Sequence, residues 1–128
     1  MSRTPGTPPR VSIPALLRRS HAELLAEAAG LGVATRPQIP PDELVAAIAA
    51  ARLDRGDAVE TAGVLDLLPE GFGFVRLVER DLAASAADAF VSPSQVRALN
   101  LQPGHRVRGP VRAPSEVEVD TSRHAAAR

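Results

Sequence analysis

Three residues of this chain carry aromatic rings, and they lie close together: Phe72, Phe74 and Phe90. Phe72 and Phe74 are two apart, so on a strand both rings stand on one face. Arg76 continues the same parity, and its guanidinium can meet a phosphate or stack on a base. If that face points outward, it is a platform for nucleobases. Alanine substitution at such a platform costs about 1–3 kcal/mol per stacked base. The Gly before each ring, Gly71 and Gly73, would then keep the surface beside it open. If the face points inward, the rings are barrel core and the two glycines are turn and bulge residues. Val64, Leu68, Val75 and Leu77 can fill a core without the rings, so both readings stand.

Other chemistry is poorly supplied. There is no Cys, hence no disulfide, thiolate nucleophile or Cys-ligated metal. All 15 basic residues are Arg, so neither a P-loop lysine nor a Schiff-base lysine exists in this chain. His21, His105 and His124 lack metal-site spacing. Ser92, Ser94, His105 and Asp88 make no hydrolytic triad, because nucleophile-elbow spacing is missing and both serines suit helix caps. Asp42 and Glu43 read as helix-start residues. No catalytic residue, metal or cofactor is expected. No apolar run approaches the roughly 18–20 residues of a membrane span, and no signal peptide is visible, so a cytoplasmic protein away from membranes is expected.

Charge balances at 15 basic and 15 acidic residues. The chain is no polycation, so any affinity for nucleic acid must be local. Residues 61–112 carry a slight excess of Arg, and Arg76, Arg97, Arg106, Arg108 and Arg112 can form a basic face. Each is equally an ordinary surface charge. With few phosphate contacts, binding should be weak and salt-sensitive.

The elements that must position these residues fall in two groups. Residues 1–12 read as a disordered tail and 13–56 as a helical hairpin. Ser20 and Glu23 make a capping box, Gly30 and Gly32 stop the first helix, Pro41 opens the second and Gly56 ends it. A polar link over 57–63 leads to strands at 63–68, 72–76 and 89–91. Ser92 and Pro93 start a helical turn. A strand from 106 should be confined by Pro110 to an edge or bulge. Val117 and Val119 alternate with acids in a short last strand, and 121–128 read as a tail. The expected class is α+β: a helical hairpin on a small five-stranded oligonucleotide-binding barrel over 61–120.

Residues 63–76, GVLDLLPEGFGFVR, and 88–104, DAFVSPSQVRALNLQPG, resemble the RNA-binding domain of the bacterial transcription termination factor Rho. The run Val91 to Gln95 is highly specific to that family. The helical region resembles Rho's N-terminal helical subdomain, and the likeness covers about residues 13–114. It implies a cold-shock-like barrel that binds single-stranded, C-rich RNA in termination or its control. Leu68, Phe72 and Phe74 match stacking residues, and Arg76 and Asp88 match polar residues beside the base. Phe90 stands where the family usually has Tyr, so stacking is kept and a hydroxyl lost. Glu118 matches an acidic residue near the end of the site, and Arg108 belongs to the basic face beside it.

The departures lie at the C-terminal end. The family's Arg-Tyr pair is replaced by Val119 and Asp120, and its long apolar last strand by a short acidic one. Rho continues into a P-loop ATPase, which is not expected here. A second reading follows from the short strand. An open sheet edge would pair with Rho, with a second copy or with another protein, and would modulate termination without touching RNA.

Overall fold

The computed structural model describes residues 10–112 and 115–120. Elements follow in the order β1 (Arg10–Ser12), α1 (Ile13–Leu17), α2 (His21–Gly30), α3 (Pro41–Asp54), β2 (Ala58–Leu67), β3 (Gly73–Arg76), a single 3-10 turn (Val78–Arg80), β4 (Ala89–Val91), α4 (Pro93–Ala98), β5 (Arg106–Arg112) and β6 (Glu116–Val117).

Local chemistry sets the helix starts. Ser20 Oγ accepts the Glu23 N–H at 3.1 Å, and Glu23 Oε1 accepts the Ser20 N–H at 2.9 Å, which is the expected capping box. Ser12 caps α1 and Ser92 caps α4, each with a proline in the first turn. Asp42 and Glu43 sit in the first turn of α3, where the helix dipole favours them. The helical region holds three helices rather than two, because Arg18 to Ser20 break it before the capping box.

β2 is ten residues long and organises the barrel. Val64–Leu67 pair antiparallel with β3, and Glu60–Val64 pair antiparallel with β5. β3 pairs antiparallel with β4, β4 parallel with β6, and β6 antiparallel with β5, so five strands close a mixed barrel. This is the α+β arrangement expected, a helical unit on an oligonucleotide-binding-type barrel.

Two apolar clusters hold it. Leu65, Val75, Ala89, Val91, Leu101, Val107, Val117 and Val119 fill the barrel. Leu16, Leu24, Leu44, Val45 and Ile48 of the helices pack with Val11, Val59, Leu77, Ala87 and Val111 from the barrel side. The second cluster is shared, which is how so small a helical unit is stabilised. No aromatic residue belongs to either core.

Four expectations need correction. The tail read over 1–12 ends earlier: Arg10–Ser12 pair parallel with Ala58–Glu60, and Val11 is buried. Residues 1–9 and 121–128 lie outside the described residues. The polar link over 57–63 is mostly strand, since β2 begins at Ala58. Val59 and Thr61 point into the core with Glu60 between them, a period-two pattern hidden by the polar side chains. Pro110 does not limit β5 to an edge; it occupies the last register pair with β2, opposite Glu60, and its carbonyl accepts the Glu118 N–H at 2.8 Å.

The fourth correction concerns closure. β6 has only two residues but is paired on both sides. The Gln95 amide extends it, donating to the Val117 carbonyl at 2.8 Å and accepting the Val119 N–H at 2.7 Å. The Asp120 N–H reaches the Arg108 carbonyl at 2.7 Å. The open edge expected at the last strand is therefore not there. Gly109 permits the approach: a Cβ at that position would stand 1.9 Å from the Glu118 carbonyl oxygen.

Candidate nucleic-acid interface

The strand register decides which side chains meet. Phe74 pairs with Asp66 on one side and Phe90 on the other, and Phe90 pairs with Glu116. Directly paired residues share a face, so one row runs Asp66, Phe74, Phe90, Glu116. A second row runs Arg106, Val64, Arg76. Between these rows Leu65, Val75 and Ala89 point inward and are buried. Phe72, Phe74 and Arg76 thus face out, and the core reading of the rings does not hold.

Phe72 precedes β3 and closes the β2–β3 hairpin, where the Leu68 N–H donates to the Phe72 carbonyl at 2.8 Å. Leu68 is half-buried at this hairpin. Gly71 makes the turn with φ +102°. Gly73 does not open the ring surface. Its missing Cβ lies on the core side, 2.8 Å from the Asp66 carbonyl oxygen.

The three rings touch one another, with centroids 5.9 Å (Phe72–Phe74), 5.4 Å (Phe72–Phe90) and 6.1 Å (Phe74–Phe90) apart. Tilted and edge-to-face pairs of this kind contribute about 0.5–1.5 kcal/mol each. They hold the platform rigid while leaving it half-exposed.

Arg76 crosses this platform. Its guanidinium carbon lies 5.0 Å from the Phe74 centroid, within cation–π range. Nε and Nη2 are 2.9 Å from Asp66 Oδ2, and Nη1 is 2.7 Å from Asp88 Oδ2. The Asp88 hydrogen bond raises the Arg76 pKa; burial opposes this and Asp66 adds to it. With two carboxylates on one guanidinium, Arg76 is a poor phosphate trap. It is a fixed set of donors beside an aromatic face.

The Asp88 side chain is 4% exposed. Its Oδ2 accepts from Arg76 and from the Ser85 N–H at 2.9 Å. Its Oδ1 is buried with no hydrogen-bond partner, which is costly for a carboxylate oxygen. An open cleft of about 670 Å³ lies here, lined by Phe74, Arg76 and Asp88 together with Ala84, Ser85, Ala86 and Ser115.

The remaining expected residues lie apart from this cluster. Arg106 and Arg108 are exposed on the outer face of β5, opposite Val64 and Ala62. Glu118 pairs with Arg112 at 2.6 Å, both well exposed. The acid beside Phe90 is Glu116. Sequence reasoning missed Asp66, Ser85 and Glu116. Strand parity on β2 could have found Asp66, but nothing local marks Ser85 or Glu116. Among the described residues no group of three His, Asp or Glu could hold a metal ion. Nor is any described helix long and apolar enough to cross a membrane.

A closed five-stranded barrel with a rigid aromatic patch beside a charged cleft defines a barrel of the oligonucleotide-binding type. Comparison with known proteins narrows this. Residues 61–125 match the family model "Rho termination factor, RNA-binding domain", and the chain belongs to that family. It is 37% identical over 103 residues to transcription termination factor Rho of Rhodopirellula baltica, covering 80% of this chain and 20% of that protein. It is 36% identical over 88 residues to Rho of Haemophilus influenzae, 69% of this chain and 21% of the relative. For Rho of Thermotoga maritima the figures are 35% over 108 residues, 84% and 25%. The chain thus spans a quarter or less of the length of these curated relatives.

Proposed function

We propose that this protein binds single-stranded, pyrimidine-rich RNA, with cytosine preferred, and acts in bacterial transcription termination or its control. It works as a binding module without catalysis or cofactor, in the cytoplasm. Phe72, Phe74 and Phe90 stack the bases and Leu68 flanks them at the hairpin. Arg76 and Asp88 read a base edge.

One observation supports this reading above the others: three half-exposed Phe rings in mutual contact stand on one outer face, beside the Arg76–Asp88 pair and its cleft. Cytosine presents an exocyclic amine as donor beside ring acceptors, and carboxylates accept from that amine. Uracil puts an acceptor in the amine's place, facing the carboxylate. Adenine has an amine but a second ring to accommodate. Arg106 and Arg108, exposed on the outer face of β5 and without an ion pair among the described residues, take the phosphate backbone where it continues past the site. Association with Rho or with a second copy loses the basis given for it, because the last strand is already paired.

The test is an equilibrium titration of the purified protein with labelled oligo-C, oligo-U and oligo-A RNA at low and moderate salt. The expected result is tightest binding to oligo-C, weakening with salt. Equal affinity for all three, or no binding by a protein shown folded by circular dichroism, would overturn the reading.

A further inference from the structure

One wall of the cleft is not built by strands. Ala84, Ser85 and Ala86 belong to the loop between the 3-10 turn and β4. That loop is strained, because Asp81 and Leu82 are consecutive non-glycine residues in the left-handed region, with φ 54° and 65°. Such backbone persists only where its surroundings over-determine it.

The loop is fixed on both sides by one carboxylate of the helical unit. Asp42, in the first turn of α3, accepts from Arg80 Nε through Oδ1 and from the Ser85 hydroxyl through Oδ2, each at 2.5 Å. Ser85 in turn accepts the Ala87 N–H at 3.0 Å and donates its own N–H to Asp88 Oδ2 at 2.9 Å. The Asp88 N–H returns to the Ser85 carbonyl at 3.1 Å. A continuous hydrogen-bonded chain therefore runs Asp42, Ser85, Asp88, Arg76, from a helix start to the aromatic face. Ser85 and Arg76 both engage Asp88 Oδ2, and this is why Oδ1 is left over.

We propose that Asp42 is a positioning residue for base recognition. By holding Ser85 it fixes the orientation of the Asp88 carboxylate, and through it the Arg76 guanidinium beside the rings. The helical unit is then part of the specificity device, although none of its residues lines the cleft. This inference rests on the RNA-reading role proposed above.

The test uses the full chain with Asp42→Ala, Ser85→Ala and Ser85→Thr. Arg36→Ala serves as control, breaking the neighbouring Arg36–Glu43 pair without touching the chain of bonds. Two quantities are read: the ratio of oligo-C to oligo-A affinity, and amide hydrogen exchange at residues 83–88, which needs no RNA. Losing one such hydrogen bond should lower the ratio about 3- to 10-fold in Asp42→Ala and Ser85→Ala. Exchange should speed up in both. Ser85→Thr, which keeps the hydroxyl, should restore both readouts, and Arg36→Ala should leave the ratio unchanged. If Asp42→Ala does not fold, the Ser85 pair decides. A wild-type ratio retained in the folded variants overturns the positioning role alone. A wild-type protein that does not distinguish C from A overturns the base-reading proposal itself, and faster exchange would then show only that Asp42 holds the loop.

Discussion

The rings of Phe72 and Phe74 should be removable without unfolding the protein, because neither belongs to a core cluster. The double variant Phe72→Ala with Phe74→Ala is expected to weaken oligo-C binding by about 1–3 kcal/mol per stacked base. Its circular dichroism should stay that of the wild type. Fluorescence anisotropy with labelled oligo-C measures the first effect, and unchanged affinity would remove the platform from the mechanism. Arg76 makes a different contribution. Its fork spans two carboxylates, which a lysine ammonium cannot reproduce. Arg76→Lys should cost roughly tenfold in oligo-C affinity and reduce discrimination against oligo-U. Because Asp88 and Asp66 raise the Arg76 pKa, the guanidinium stays charged further into alkali than a free arginine. Titration of Arg76 should therefore impose no change in binding between about pH 6 and 9. A step in the binding profile there would have to come from another group.

At the scale of elements, the last strand shows how little regular structure can close a barrel. Two residues of β6 are held by β4, by β5 and by the Gln95 side chain. Gly109 lets the chain pass close enough for this. Gly109→Ala should destabilise the protein by about 3 kcal/mol, the upper end of overpacking costs, since the clash is with backbone. Urea unfolding followed by circular dichroism checks it; a variant as stable as wild type would show that closure tolerates a wider crossing. The same region shows what was legible in the sequence. The caps at Ser20 and Ser92 and the helix start at Pro41 depend on residues three or four apart, and such local signals are legible in the sequence. β1, the first half of β2 and the closure at β6 depend on partners far along the chain. Arg10–Ser12 look like tail until Ala58–Glu60 lie beside them. In the site, strand parity put Phe72, Phe74 and Arg76 on one face. Asp66 and Glu116 joined them only through register, and Ser85 only through a loop held from α3.

The whole molecule should unfold as one unit. The cluster containing Leu44 and Ile48 also contains Val59, Leu77 and Val111 of the barrel side, so the helices have no core without the barrel, and the barrel without the helices keeps only its inner cluster. Leu44→Ala, at a fully buried position, should cost about 2–5 kcal/mol and lower the stability of helices and barrel together. Residue-resolved hydrogen exchange can test this, and loss confined to the helices would mean two independent units. Net charge is zero, so long-range attraction to RNA is weak and the local arginines should dominate the salt response. Replacing Arg106 and Arg108 by Ala should flatten the slope of log affinity against log salt by about 1.4, the value for two phosphates on a single strand. The ranking of oligo-C over oligo-A should persist. Unchanged slope would place the phosphates elsewhere. Finally, the chain has no Trp, no Tyr and three Phe, and all three sit on one outer patch. Fluorinated phenylalanine would therefore label this patch and nothing else. A three-line fluorine NMR spectrum would follow occupancy of the face free of background from the interior, in a mixture or in a crude lysate.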